Sequence, residues 1–100
     1  MYAIIWKYKI KLGCKTKFEF EYGRGGSWHK LFSNSKNYHS SCLYKSDEET
    51  NTYLLIDIWE SKNFYEEFIK TNKKEYQKLS TSFEFLYETE KKIGLFNVLK

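Results

Sequence analysis

Residues 52–68, TYLLIDIWESKNFYEEF, constrain the fold more than any other stretch, because they read as a strand that ends in a tryptophan and passes at once into a helix. Side chains alternate across a strand with period two, so Tyr53, Leu55, Asp57 and Trp59 share one side and Leu54, Ile56 and Ile58 share the other. Both sides are expected to be covered. An aliphatic side opposite an aromatic side broken by one carboxylate calls for two different coverings, a packing surface and a pocket.

The rest of the chain has to supply them. One hundred residues at 12.2 kDa are enough for one domain, 1–100, and no linker, repeat or low-complexity stretch divides it. Aromatic residues make up 20%, more than one core of this size uses, so part of that surface is expected to line a cavity or a subunit interface. No apolar run approaches the ~18 residues of a membrane span, and no charged start followed by a long apolar run marks a signal peptide. A cytoplasmic protein with no membrane partner is the expectation. Cys14 and Cys42 are too few and too far apart for a zinc site or a disulfide scaffold and are read as free thiols. Arg24 is the one arginine among 17 basic residues, so the net charge of +4 rests on lysine. That balance argues against a nucleic-acid partner, since base and phosphate readers rely on the bidentate arginine fork.

Tyr2 to Leu12 alternates strictly, with Tyr2, Ile4, Trp6, Tyr8, Ile10 and Leu12 on one face and Ala3, Ile5, Lys7, Lys9 and Lys11 on the other, and forms a first strand. Lys15 to Tyr22 fits a strand through Phe18, Phe20 and Tyr22 and a helix through Phe18 and Tyr22; a helix stopped by Gly23 is favoured. Trp28, Leu31 and Phe32 at i, i+3 and i+4 mark a short amphipathic turn. Asn37 to Ser46 and Thr52 to Glu60 make two strands joined by a polar loop at Asp47, Glu48 and Glu49. Ser61 caps a helix starting at Lys62, with Phe64 and Phe68 on one face, a kink expected at Asn72 to Lys74, and an apolar stripe continuing through Tyr76, Leu79, Phe83 and Leu86. Lys92 to Leu99 closes the chain as a strand, with Ile93, Leu95 and Leu99 opposed to Gly94, Phe96 and Val98.

Strand, helix, two strands, helix, strand is the ferredoxin-like βαββαβ order, an α+β fold with an antiparallel sheet and helices on one face. Placing Lys7, Lys9 and Lys11 under the helices would bury three charges, so Trp6, Tyr8, Asp57 and Trp59 belong on the helix side. Ile5, Leu54, Ile56 and Ile58 then face outward. A second copy of the same sheet is the expected cover, giving a homodimer through the open face.

Ile5-Trp6-Lys7-Tyr8, residues 26–32 (GSWHKLF), Asp57-Ile58-Trp59-Glu60-Ser61 leading into Phe64 and Phe68, and Ile93-Gly94-Leu95-Phe96 together resemble the antibiotic-biosynthesis-monooxygenase-like branch of the dimeric α/β-barrel proteins, over essentially the whole chain. The resemblance implies two sheets sharing a barrel and a cavity between sheet and helices in each subunit. Some members of that family oxidise aromatic polyketide-like phenols with dioxygen and no prosthetic group, some degrade haem, and many have no assigned activity. The haem-degrading branch needs a first-strand asparagine, the tryptophan closing the third strand and a histidine on the next helix. Trp59 matches, but Trp6 stands nearest the asparagine position and no histidine follows His39. Haem degradation is therefore disfavoured, and no haem, flavin or metal cofactor is expected.

Cofactor-free chemistry asks for an apolar cavity around a flat, electron-rich substrate and for a base that makes its anion. Trp6, Tyr8, Trp28, Trp59, Tyr65 and Phe68 are the expected walls, and Asp57, desolvated among aromatics, is the candidate catalytic base. Asp57 as a structural acceptor for a tyrosine or a lysine, and the aromatics as plain core, are the competing readings. His29 lies off the apolar spacing of its turn and His39 sits on an edge strand, so both are read as solvent-facing. The GRGG run at 23–26 lacks the Lys-Ser/Thr ending of a phosphate loop and reads as a turn, and the lysine row at 7, 9 and 11 as a solvated rim. The favoured function is a cofactor-independent monooxygenase of an aromatic or polyphenolic small molecule. A non-catalytic dimer binding a small apolar or aromatic ligand is the alternative. An RNA-binding module is remote, because the third strand lacks the Gly-aromatic signature of RNA-recognition domains.

Overall fold

A computed structural model describes residues 1–99. The elements run β1 (Tyr2–Ile10), α1 (Lys15–Tyr22), α2 (Ser27–Phe32), β2 (Tyr38–Lys45), β3 (Thr52–Trp59), α3 (Lys62–Thr71), α4 (Lys73–Phe83), a 3-10 turn at Glu84–Leu86, and β4 (Tyr87–Asn97). The four strands form one sheet in the order β2-β3-β1-β4, every neighbouring pair antiparallel. This is the expected α+β ferredoxin-like arrangement.

The period-two reading of β3 holds residue by residue. In β1 it holds for Ile4, Tyr8 and Ile10 inside and Lys9 outside, while Ala3 is buried on the outer face and Trp6 only half-buried on the inner one. Tyr53, Leu55, Asp57 and Trp59 are buried beneath the helices, whereas Leu54, Ile56 and Ile58 are only half-buried on the opposite face. Ile5 pairs with Ile56 and is half-buried on that same outer face. Two apolar clusters fill the helix side. One gathers Tyr8, Ile10, Phe18, Tyr53, Phe83 and Leu86, and the other Tyr2, Ile4, Phe32, Trp59 and Phe68. Each such side chain, fully buried, stabilises the fold by roughly 1.5–3 kcal/mol before conformational entropy is subtracted.

Lys15–Tyr22 is helical because Phe18 and Tyr22, one turn apart, stack on each other with ring centroids 4.4 Å apart and lie on the sheet. Phe20 points outward and is exposed, which a strand alternating through all three aromatics would not produce. Gly26 then sets the corner between α1 and α2. A Cβ there would lie 2.4 Å from the carbonyl oxygens of Phe20 and Glu21, so only glycine lets the chain fold back this closely. The Ser27 hydroxyl donates to the Glu21 carboxylate at 2.6 Å and fixes the corner. At the other helical pair, Ser61 caps α3 by accepting from the Phe64 N–H at 3.2 Å. The expected kink falls at Asn72, whose amide side chain donates to the Phe68 carbonyl at 3.0 Å as α3 gives way to α4.

Beyond one-residue differences at the ends of β2 and β3, several boundaries differ from the sequence reading, among them the end of the last strand, at Asn97 and not at Leu99. β1 stops at Ile10, and Leu12 is 92% exposed beside Gly13, whose φ of +84° turns the chain. Leu86 buries itself through the 3-10 turn and not through a longer helix. The last strand starts at Tyr87 and not at Lys92, and it is bulged: Ile5 pairs with Gly94 and Trp6 with Lys92, leaving Ile93 unpaired. The bulge breaks the alternation expected for Ile93, which lines a groove on the outer face with Lys7 and Leu54 and does not share a side with Leu95.

Candidate active site

A small cavity lies between the sheet and the helices. Its floor comes from Trp6 and Tyr8 of β1 and Leu55 and Asp57 of β3. Its roof comes from Tyr22 of α1, Trp28 and Phe32 of α2, and Tyr76 and Ser80 of α4, with Glu90 of β4 at one side. It measures about 20 Å³ for the centre of a water-sized sphere, room for roughly one water. A flat aromatic ligand therefore requires the helical roof to move outward.

Four residues expected at the site, Trp6, Tyr8, Trp28 and Asp57, lie on the wall. Trp59, Tyr65 and Phe68 are placed differently. Trp59 and Phe68 belong to the neighbouring apolar cluster, their rings 5.1 Å apart, and Tyr65 packs against that cluster from α3. Tyr22, Phe32, Tyr76, Ser80 and Glu90 line the cavity without having been singled out, because their contribution depends on where α1, α2, α4 and β4 cross the sheet.

Asp57 is 5% exposed and faces Ser41, its cross-strand partner on β2. The Ser41 hydroxyl donates to Asp57 Oδ1 at 2.6 Å, and Tyr38 Oη lies 2.5 Å from Ser41 Oγ. Since the serine proton is committed to the carboxylate, the tyrosine donates to the serine. Burial pushes the Asp57 carboxyl up to about 6, against the pull of the serine hydrogen bond in the other direction. A carboxyl group with that value is half-ionised near pH 6 and mostly ionised at neutrality, as a general base needs. No lysine or arginine pairs with it among the described residues.

The tyrosines around it behave oppositely to a nucleophile. Burial, reinforced by the Glu90 charge, raises Tyr8 well above its ordinary value, and Tyr8 Oη donates to Glu90 Oε2 at 2.8 Å. Tyr22 and Tyr76 are also raised by burial. All three stay protonated, and Tyr8 acts as a hydrogen-bond donor. On the cavity wall Tyr22 carries a side-chain hydrogen bond from Trp28. Among the described residues Trp59 Nε1 is a buried side-chain polar atom with no partner.

Elsewhere the titratable side chains are less organised. His29 packs edge-on against Tyr38 with ring centroids 5.8 Å apart, and His39 is exposed beside Ser40. Cys14 is half-buried, Cys42 is exposed, and neither is in a disulfide. No three of the described histidine, cysteine, aspartate and glutamate residues come together as metal ligands do. Among the described residues no helix is long and apolar enough to cross a membrane.

No family model and no curated protein matches the sequence. Solved structures do match the fold. SnoaB, a cofactor-independent oxygenase from Streptomyces nogalater, superposes with a TM-score of 0.77 at 16% identity, covering 99% of this chain and 93% of that one. A candidate antibiotic biosynthesis monooxygenase from Bordetella bronchiseptica gives a TM-score of 0.73 at 19% identity over 99% of this chain and 97% of the other. A further antibiotic biosynthesis monooxygenase gives 0.65 at 10% identity over the full length of both chains. The fold that the sequence resemblance implied is the one these structures share.

Proposed function

We propose that the protein is a cofactor-independent monooxygenase of an aromatic or polyphenolic small molecule, with Asp57 as the base. The observation that carries this reading is the position of Asp57: a buried carboxylate under the helices, on the wall of an aromatic cavity, held through one oxygen by Ser41, whereas the other carboxylate of the wall, Glu90, belongs to an exposed residue and accepts from Tyr8. The fold likeness to SnoaB, itself a cofactor-independent oxygenase, supports the reaction class.

The chemistry needs nothing beyond substrate and dioxygen. Asp57 takes a proton from an activated ring carbon or hydroxyl, and the electron pair left behind spreads over the ring and makes it a reductant for dioxygen. One oxygen atom bonds to carbon and the other leaves as water, so an activated CH2 and O2 become a carbonyl and H2O. Asp57 returns its proton as the O–O bond breaks. Trp6, Tyr8, Trp28 and Phe32 exclude bulk water and hold the ring by stacking.

The same reading includes a homodimer. Ile5, Leu54, Ile56 and Ile58 lie half-exposed in one patch, and Phe96, at 52% exposed, belongs to the same face through its pairing with Ala3. Contiguous exposed apolar side chains of this kind mark interaction surfaces, and a second copy of the sheet would cover them. The test of function is oxygen uptake by purified protein with a panel of polycyclic phenols, followed by mass spectrometry after reaction under heavy-isotope dioxygen. One labelled oxygen in the product supports a monooxygenase; tight binding of phenols with no uptake across the panel would leave a ligand-binding protein.

A further inference from the structure

Lys92 stands where the alternation of β4 would put an isoleucine. The bulge that leaves Ile93 unpaired sets Lys92 opposite Trp6 on the helix side of the sheet, and its ammonium lies 5.0 Å from the centre of the Trp6 ring. Bulges re-aim side chains in this way beside functional sites. Here the lysine is aimed at an open groove of about 480 Å³ between α3, α4 and β4, with Tyr65, Ile69 and Tyr76 as apolar walls and Lys70, Lys73 and Lys92 along it. That volume suits a small organic ligand, as the 20 Å³ of the neighbouring cavity does not. Two residues join the spaces. Tyr76 lines both, and Trp6 borders the cavity while carrying Lys92 at the edge of the groove. Glu66 is the one carboxylate of the groove, and among the described residues none of its three lysines is in an ion pair. The groove is therefore apolar with a positive rim, whereas the acidic residues Asp57 and Glu90 stand on the cavity wall.

We propose that this groove is the outer half of the substrate site and holds the carboxylate of an aromatic acid, whose ring enters the cavity as Tyr76 swings outward from the roof. The role of the ring end rests on the monooxygenase reading; the anionic end is new. Charge sets the orientation. An anion is repelled by Asp57 and Glu90 and drawn to Lys70, Lys73 and Lys92, so the ligand presents its neutral ring to the cavity and its carboxylate to the groove. Lysine suits this task, because a flexible point charge at the rim of an apolar wall captures a carboxylate without demanding one geometry. Tyr76 serves as the partition between the two halves, its ring edge-on to Trp28 with centroids 5.1 Å apart.

Two probes isolate the charge: 6-hydroxy-2-naphthoate and 6-hydroxy-2-naphthamide share the ring, the phenol and the carbonyl and differ by one negative charge at pH 7.5. Their binding is followed by naphthol fluorescence with dioxygen excluded. Wild-type protein should bind the acid roughly tenfold more tightly than the amide at low ionic strength, and the ratio should shrink in about 0.5 M salt. Replacing Lys70, Lys73 and Lys92 together by glutamine should abolish most of that ratio and leave the amide affinity unchanged. The same replacement at Lys9, Lys11 and Lys36, none of which lines the groove, removes equal charge and should retain the ratio. Tyr76→Leu, which thins the partition, should speed association of both probes several-fold. Equal affinity of wild type for the two probes, or a ratio that falls alike in both triple variants or in neither, would overturn the site. An unchanged association rate in Tyr76→Leu would overturn entry past that residue. Binding needs no turnover, so a protein that shows this pattern yet consumes no dioxygen with any phenolic acid would contradict the oxygenase reading and not the groove.

Discussion

Ser41 and Asp57 face each other across the β2–β3 ladder, and the serine hydroxyl donates to the buried carboxylate at 2.6 Å. That single bond decides how the site behaves with pH. It holds the charged form of a group that burial otherwise drives toward neutrality.

Removing the donor should therefore move the base upward. Ser41→Ala takes away a charge-assisted hydrogen bond worth about 1.5–3 kcal/mol, equivalent to roughly one to two pH units. The acidic limb of kcat/KM, expected near pH 6 in the wild type, should shift to higher pH in this variant by about that amount. A limb that stays in place would separate Ser41 from the ionisation that controls the rate.

Asp57 should also destabilise the fold once it is ionised. Its carboxyl is raised from 3.8 to about 6, so the native state holds the proton more tightly than the unfolded chain does. Stability from this group is fully present below about pH 4 and is lost as pH rises through about 6, in total on the order of 3 kcal/mol. Asp57→Asn keeps the shape and the Ser41 bond without the charge. Its Tm should exceed that of the wild type at pH 8, and the gap should close toward pH 4. A lower Tm than wild type at every pH would instead mark Asp57 as a structural anion.

The outer sheet face gives an independent prediction. Light scattering at micromolar concentration should report about twice the chain mass, and Ile56→Lys, opposite Ile5 at the centre of the patch, should dissociate or unfold the protein. A wild-type monomer would remove the barrel from the account.

How much of this was legible in the sequence depends on the period of each segment. In β1 and β3, alternation of side chains fixed which residues face the helices, and Asp57 stood out as the one charge on an aromatic face. The strand order followed from the segment order, and the open sheet from the greasy outer face. Ile93 misled because a bulge breaks the alternation that the reading relied on; the signal was Gly94 beside it, since an isolated glycine inside a strand pattern often marks a bulge. Trp59 and Phe68 satisfied the composition expected of a cavity wall, yet packing set them in the adjoining cluster. Ser41 was within reach: the pairing that sets Ser46 against Thr52 across the loop carries the ladder on to Ser41 and Asp57. Tyr22 and Tyr76 were not, because the angle at which a helix crosses the sheet follows from tertiary packing and from a corner such as Gly26, not from local periodicity.

The most direct test of the central claim is the rate of dioxygen consumption by wild type and Asp57→Asn at pH 7.5, with a phenolic substrate that the wild type turns over. Loss of a positioned general base costs roughly 10²- to 10⁴-fold, so kcat should fall by at least about a hundredfold in the variant while its affinity for that substrate stays within a few-fold of wild type. Retention of the wild-type rate by a folded Asp57→Asn protein would contradict the account, since no proton would then need to pass through this carboxylate.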